Sequence, residues 1–150
     1  RARRILECME AKRLELGLDN FRYGLPSALI PIRRGDHREG VQGQGFREDG
    51  RDGFGIFCNG CLTLGLAYYY IRAMTVFGFK KVADQMAREI LEGHALGRLV
   101  GGIGTGVEFH TFEGLACGYE GAYVLQFPAL LAIAQHLGLV KTLQPEFWAA

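Results

Sequence analysis

The amino-acid sequence predicts a mainly α fold in which antiparallel helix hairpins alternate with long glycine-rich loops. Apolar residues recur at three- and four-residue steps across residues 62–77 and again across 82–91, the spacing that lines one face of a helix. A third apolar stretch closes at Gly138, a helix-stop residue. Glycine gathers between these segments, with seven in residues 33–55.

Taken in chain order, Ile5, Met9, Leu14 and Leu16 stand among Arg, Lys and Glu at helical intervals. Residues 1–18 are therefore expected to be helical, with Gly17 and Asn20 as stop signals. Pro26 and Pro31 bracket the run Ser27-Ala28-Leu29-Ile30, which excludes a long helix there and predicts an extended or turn-rich segment. Residues 33–55 interleave glycine with Arg, Asp, Glu and Gln and offer little to bury. A loop that long within a domain is either functional or plain surface disorder. Leu62, Leu66, Tyr69, Tyr70, Ala73, Val76 and Phe77 then predict a largely buried helix that stops at Gly78. Val82, Ala83, Met86, Ala87, Ile90 and Leu91 form an apolar stripe opposite Lys80, Lys81, Asp84, Gln85, Arg88 and Glu89, so residues 61–93 read as an αα-hairpin. After a glycine-rich stretch over 97–106, Val107 to Phe112 has the β-branched and aromatic content of a short strand or rigid loop. Gly114, Gly118 and Gly121 follow. The last helix is expected from Gln126 or Phe127 to Leu137, with Pro128 tolerated in its first turn.

Composition bounds the function. A chain of 150 residues has room for one core, and 49% apolar with 22% charged residues is ordinary for a folded protein. A net charge of +1 gives no global attraction to nucleic acid or anionic lipid, and Arg72 interrupts the longest apolar run well short of the ~20 residues that span a bilayer. Neither nucleic acid nor membrane is an expected partner. The chain opens on Arg1 without an apolar signal segment, and Pro145-Glu146-Phe147-Trp148 starts what reads as a helix just before Ala150. Both ends read as interior sequence, so residues 1–150 are expected to be one segment of a longer chain, whose remainder is a partner.

Cys8, Cys58, Cys61 and Cys117 are too few and too scattered for a disulfide framework, which points to a reducing compartment, the cytoplasm. Cys58 and Cys61 have CxxC spacing, yet Cys8 and Cys117 lack the paired neighbours of a zinc site. Buried thiols are favoured over a metal or redox centre, and no metal or cofactor is expected. Nor do His37, His94, His110 and His136 fall into a metal-binding spacing. Gly101-Gly102-Ile103-Gly104-Thr105-Gly106 lacks both the dinucleotide and the P-loop glycine patterns.

The segment Gly106 to Gly121 is the most informative, because Glu108, Glu113 and Glu120 sit there among His110, Phe109, Phe112, Tyr119 and several glycines. Aromatic faces stack on sugar rings, carboxylates hydrogen-bond hydroxyls, and one carboxylate activates water in a glycosidase. The alternative is structural: Phe109 and Phe112 as core, Glu113 and Glu120 beside helix starts. His110, two residues from Glu108, is placed to bond a hydroxyl or tune that carboxylate.

Three segments together, Tyr23-Gly24-Leu25-Pro26 through Pro31, Phe57-Cys58-Asn59-Gly60, and Gly106-Val107-Glu108 through Gly121, resemble the C-terminal half of a bacterial six-hairpin glycosidase. That superfamily is built as an α/α toroid, so the resemblance implies an incomplete (α/α)6 toroid. Twelve helices of ~11–12 residues need on the order of 200 residues or more, which 150 cannot supply. The resemblance further implies a carbohydrate substrate and inverting hydrolysis, with Glu108 as base, Asn59 near the substrate, and His110, Phe112, Glu113, Tyr119 and Glu120 around it. The acid usually lies upstream, and Asp52 is the one loop carboxylate considered for it. Cys61 stands where many relatives have Gly or Trp, and Phe109 and Phe112 where they have Trp or Tyr, which leaves Glu113 as the alternative functional carboxylate. The rival expectation is a non-catalytic helical module that packs on a partner through residues 61–93.

Overall fold

The structure is a computed structural model that describes residues 1–32, 53–55, 58–99, 106–120 and 123–141. In chain order the elements are α1 (Ala2–Glu15), β1 (Leu25–Pro26), β2 (Leu62–Thr63), α2 (Ala67–Val76), α3 (Lys80–Ala95), β3 (Val107–His110), β4 (Ala116–Glu120) and α4 (Tyr123–His136). The strands form one antiparallel sheet in the order β1-β2-β3-β4. The expected toroid of helix hairpins is therefore overturned, because the segments between helices pair with one another in a mixed α and β arrangement.

The helical half follows the expected stripes only in part: in α2 and its flanking residues, Tyr70 is buried as expected, but Leu66, Tyr69, Val76 and Phe77 are exposed, and Ala67, Ile71 and Met74 take the core positions. Helix α3 buries Ala83, Met86, Ala87 and Ile90 of the expected stripe, while Val82 is half-buried and Leu91 at its edge is exposed, and Phe77-Gly78-Phe79 joins it to α2. Helix α2 packs against both α3 and α4. Small side chains make the close approach possible: Ala67, Ala83, Ala129 and Ala132 have no exposed surface, while Ile71, Met74, Met86 and Ile90 fill the space between them. The helices are also cross-tied by polar groups. The His136 ring lies 2.7 Å from the Asp84 carboxylate on α3 and 2.9 Å from the Thr75 hydroxyl on α2, and Arg72 donates to the Gln135 amide oxygen at 2.6 Å.

Three boundaries differ from the expected ones. The apolar spacing that begins at Leu62 does not start a helix there, since Leu62 and Thr63 are buried between β1 and β3 and α2 opens only at Ala67. Helix α1 ends at Glu15, not at residue 18, and Gly17 follows it at φ +74°. Helix α4 starts at Tyr123 and holds Pro128 inside it, at the loss of one backbone hydrogen bond. Gln126, in the turn before the proline, is buried and donates to the Leu99 carbonyl at 3.0 Å, which anchors those extra residues.

The sheet starts where Phe21 leaves the core. Phe21 is fully buried, its N–H donates to the Glu89 carboxylate of α3 at 2.7 Å, and the Arg13 guanidinium lies 4.1 Å over its ring. Four residues later the chain enters β1, an edge strand that tolerates Pro26 because its missing N–H faces no neighbour. Gly24, at φ +96°, brings β1 against β2 so closely that a Cβ would lie 2.2 Å from the Thr63 carbonyl oxygen. Gly17 also has a left-handed φ, of +74°, but open space around it. Gly24→Ala is thus expected to cost about 3 kcal/mol or more, and Gly17→Ala only about 1 kcal/mol. Urea denaturation of both variants beside the wild type checks the ordering, and equal costs would show that φ alone, not the strand approach, sets the penalty at Gly24.

Candidate functional site

Strands β3 and β4 form a hairpin closed by a tight turn. The Gly114 N–H donates to the Thr111 carbonyl at 2.9 Å, and the Leu115 N–H donates to the Thr111 hydroxyl at 3.3 Å. Val107 pairs with Glu120 but Phe109 with Cys117, so the single residue Glu108 stands opposite two, Gly118 and Tyr119. This is a β-bulge, a device that re-aims side chains and recurs beside functional sites, and Gly118 suits it because it brings no side chain. The hairpin thereby places Glu108, Tyr119 and Glu120 on neighbouring rungs. The side chains of Tyr119 and Glu120 lie outside the described part.

Glu108 is half-buried between the buried Val107 and Phe109. Among the described residues no group hydrogen-bonds or ion-pairs with its carboxylate. Its charge is felt by the exposed Cys58, whose thiol is pushed up first by partial burial and then by Glu108. Cys58 is held as the thiol, the unreactive form, at neutral pH.

The other expected site residues divide sharply. The Asn59 side chain is fully buried and clamps one backbone unit, accepting from the Ile32 N–H at 2.7 Å and donating to the Ile32 carbonyl at 3.4 Å. His110 is buried and stacked on Tyr23 at 4.7 Å, and it hydrogen-bonds the backbone at Arg98. Both are tied to the protein itself. Phe112 is half-buried, with the Phe54 ring edge-on at 5.4 Å, while Glu113 is exposed at the hairpin tip and has a partner of its own. Asp52, the rest of the loop up to residue 52 and the glycine-rich run 101–105 lie outside the described residues, as does Phe57. Tyr23, named from the sequence only as part of the Tyr23-Gly24-Leu25-Pro26 segment, and Phe54, not named at all, were not expected at the site, yet they supply the aromatic walls of the hairpin. Their neighbours Gly24 and Gly55 were the available signal, since Gly55 lies against the Phe112 ring. Among the described residues no group of three or more His, Cys, Asp or Glu is placed to hold a metal ion.

A groove of about 270 Å3 lies elsewhere, between α1, β1 and α2, where Leu6, Met9, Leu25, Leu66, Tyr69 and Ala73 make its wall almost wholly apolar. None of the candidate residues borders it.

Burial lowers the pKa of His110 and of His94, and the Arg98 backbone contact offsets this only in part at His110. The His94 Nε2 is buried with no hydrogen-bond partner among the described residues. Both rings are harder to protonate folded than unfolded, where the ordinary value is 6.5. Their neutral forms cost nothing above that pH, and stability is lost as the pH falls below it toward the folded-state values, by at most about 1.4 kcal/mol per pH unit for each ring. His110→Gln and His94→Gln should each flatten this acid slope, measured by urea midpoints at about pH 7 and about pH 5, and slopes parallel to the wild type would remove the histidines as its cause. The sequence matches no protein-family model, no curated protein and no solved structure.

Proposed function

We propose that this chain supplies the general base, Glu108, of a glycoside-hydrolysing site within a larger catalytic unit that takes a carbohydrate substrate. The supporting observation is a half-buried carboxylate, opposite a β-bulge and next to Phe109 in β3, that no group among the described residues hydrogen-bonds or ion-pairs. A carboxylate whose bonding capacity the fold does not use is available to take a proton from water. In inverting hydrolysis that water attacks the anomeric carbon, while an acid ~6.5–9.5 Å away protonates the leaving oxygen. The acid comes from another segment of the protein. Tyr23 and Phe54 pack on the hairpin at His110 and Phe112 and stiffen it, and the buried His110 lies two residues along β3 from the base. The reading rests on this arrangement and takes nothing from the toroid. A reducing compartment, the cytoplasm, belongs to the same proposal and is supported by cysteines too few and scattered for a disulfide framework. Among the described residues no helix is long and apolar enough to cross a membrane.

A non-catalytic interaction module is the second reading, and the apolar groove favours it. Tyr69 on α2 and Leu66 just before that helix, both lining the groove, are 71% and 43% exposed. Large apolar side chains grouped on one helix beside a groove are a feature of docking surfaces.

Glu108→Gln in the natural full-length protein separates the two. The wild type is expected to hydrolyse gluco-, manno- or rhamno-configured glycosides and the variant to do so with kcat lower by about 10²–10⁴, with sugar binding by calorimetry and the thermal midpoint unchanged. Equal turnover by both proteins removes Glu108 from the mechanism, and no binding of any sugar moves the reading to the interaction module.

A further inference from the structure

The CxxC spacing of Cys58 and Cys61 invites a pairing that the structure does not make. Cys61 Sγ lies 3.1 Å from Cys117 Sγ, a residue 56 positions away in the chain. Cys61 directly precedes β2 and Cys117 lies on β4, the two strands that flank β3, so the sulfur contact crosses beside the rungs that follow Glu108. The two sulfurs stand about 1 Å beyond the ~2.05 Å of a disulfide bond, so closing it takes that approach together with any backbone shift the bond geometry demands. Cys61 is fully buried, whereas Cys117 is half-buried and open to a small reagent.

We propose that Cys61 and Cys117 form a reversible dithiol–disulfide site, oxidised by small disulfides of the glutathione class. Cys117, as thiolate, attacks one sulfur of the reagent; its Sγ bonds to that sulfur, the reagent's S–S bond breaks, and one glutathione thiolate leaves. Cys61 then loses its proton, and its Sγ attacks Cys117 Sγ and displaces the second glutathione thiolate. The departing thiolates take up the two protons, so two protein thiols are oxidised and one small disulfide is reduced to two thiols. Cys58 is a weak competitor, because burial and the Glu108 charge keep it protonated.

Oxidation reaches the hairpin through one hydrogen bond. The Cys61 thiol donates to the Gly55 carbonyl at 3.1 Å, and a disulfide sulfur has no proton to donate. The turn at residues 53–55, whose Phe54 ring abuts Phe112, loses that tie as β2 and β4 are joined. A transient, redox-sensing bond of this kind is the usual form in a reducing compartment. The proposal stands independently of any role for Glu108.

The test treats the natural full-length protein with oxidised glutathione, alkylates the remaining thiols and maps the peptides by mass. A Cys61–Cys117 linked peptide, lighter than its two reduced halves by two hydrogen atoms and restored by dithiothreitol, is expected. Cys61→Ser should instead retain glutathione on Cys117. A Cys58–Cys61 link, glutathione held on wild-type Cys117 without an internal link, or Cys61 and Cys117 both alkylated after treatment overturns the proposal, and the wild-type map decides it even where a variant fails to fold.

Discussion

The rest of the structure hangs on a buried arginine. Arg13, 3% exposed near the end of α1, pairs with both carboxylate oxygens of Glu10 at 3.0 and 2.9 Å, donates to the Leu18 carbonyl and covers the Phe21 ring. Glu10 in turn accepts from the Tyr70 hydroxyl of α2, whose pKa is raised by burial and then by that bond. A buried charge is tolerated when its donors are satisfied, and removing one partner of such a pair typically costs about 3–5 kcal/mol. The cluster fixes α1 to α2 and turns the chain back through Phe21 toward the sheet. Where Phe21 sits decides where β1 begins.

From that point the constraints pass to the hairpin in short steps. Gly24 sets the spacing between β1 and β2, and Leu62 of β2 pairs with His110 of β3. Tyr23, next to Gly24, stacks on His110, and its ring also abuts Gly114 in the β3–β4 turn. The helical core and the candidate site are thus joined by one chain of contacts running from Arg13 to Glu108. Phe21 is also tied to α3 by Glu89, which Gln85 supports at 3.1 Å, so the connector is held from two sides.

This explains which parts were legible in the sequence. Helix α3 repeats its apolar stripe over sixteen residues, long enough for the period to show, and Val107 to His110 carry strand-forming side chains. Strands β1 and β2 have two residues each and therefore no period, so Leu62 passed as the first turn of α2. The resemblance to a helical toroid shared that weakness, since it took the segments around Leu25, Leu62 and Ala116 as connections or helix and not as strands. At the site, Glu108 was legible as a carboxylate among aromatics. The bulge opposite it was not, because a bulge is a property of the pairing between two strands. Asn59 and Cys61 illustrate the same limit: each finds its partner, Ile32 or Cys117, at a distance in the chain that no local spacing encodes.

The residues that resemble functional groups most closely are those the fold uses up. The Asn59 amide is occupied by Ile32, and the His110 ring by Tyr23 and the Arg98 backbone. Leaving either buried group unmatched would carry a desolvation cost of about 1–3 kcal/mol, so the tight pairing is what a stable hairpin requires. Glu108 follows the opposite logic. Among the described residues its carboxylate has no hydrogen bond, and burying such a group without one carries a desolvation cost. The contrast at the bulge is thus between a strand held by the buried His110 and a neighbouring carboxylate that the described residues leave without a bond.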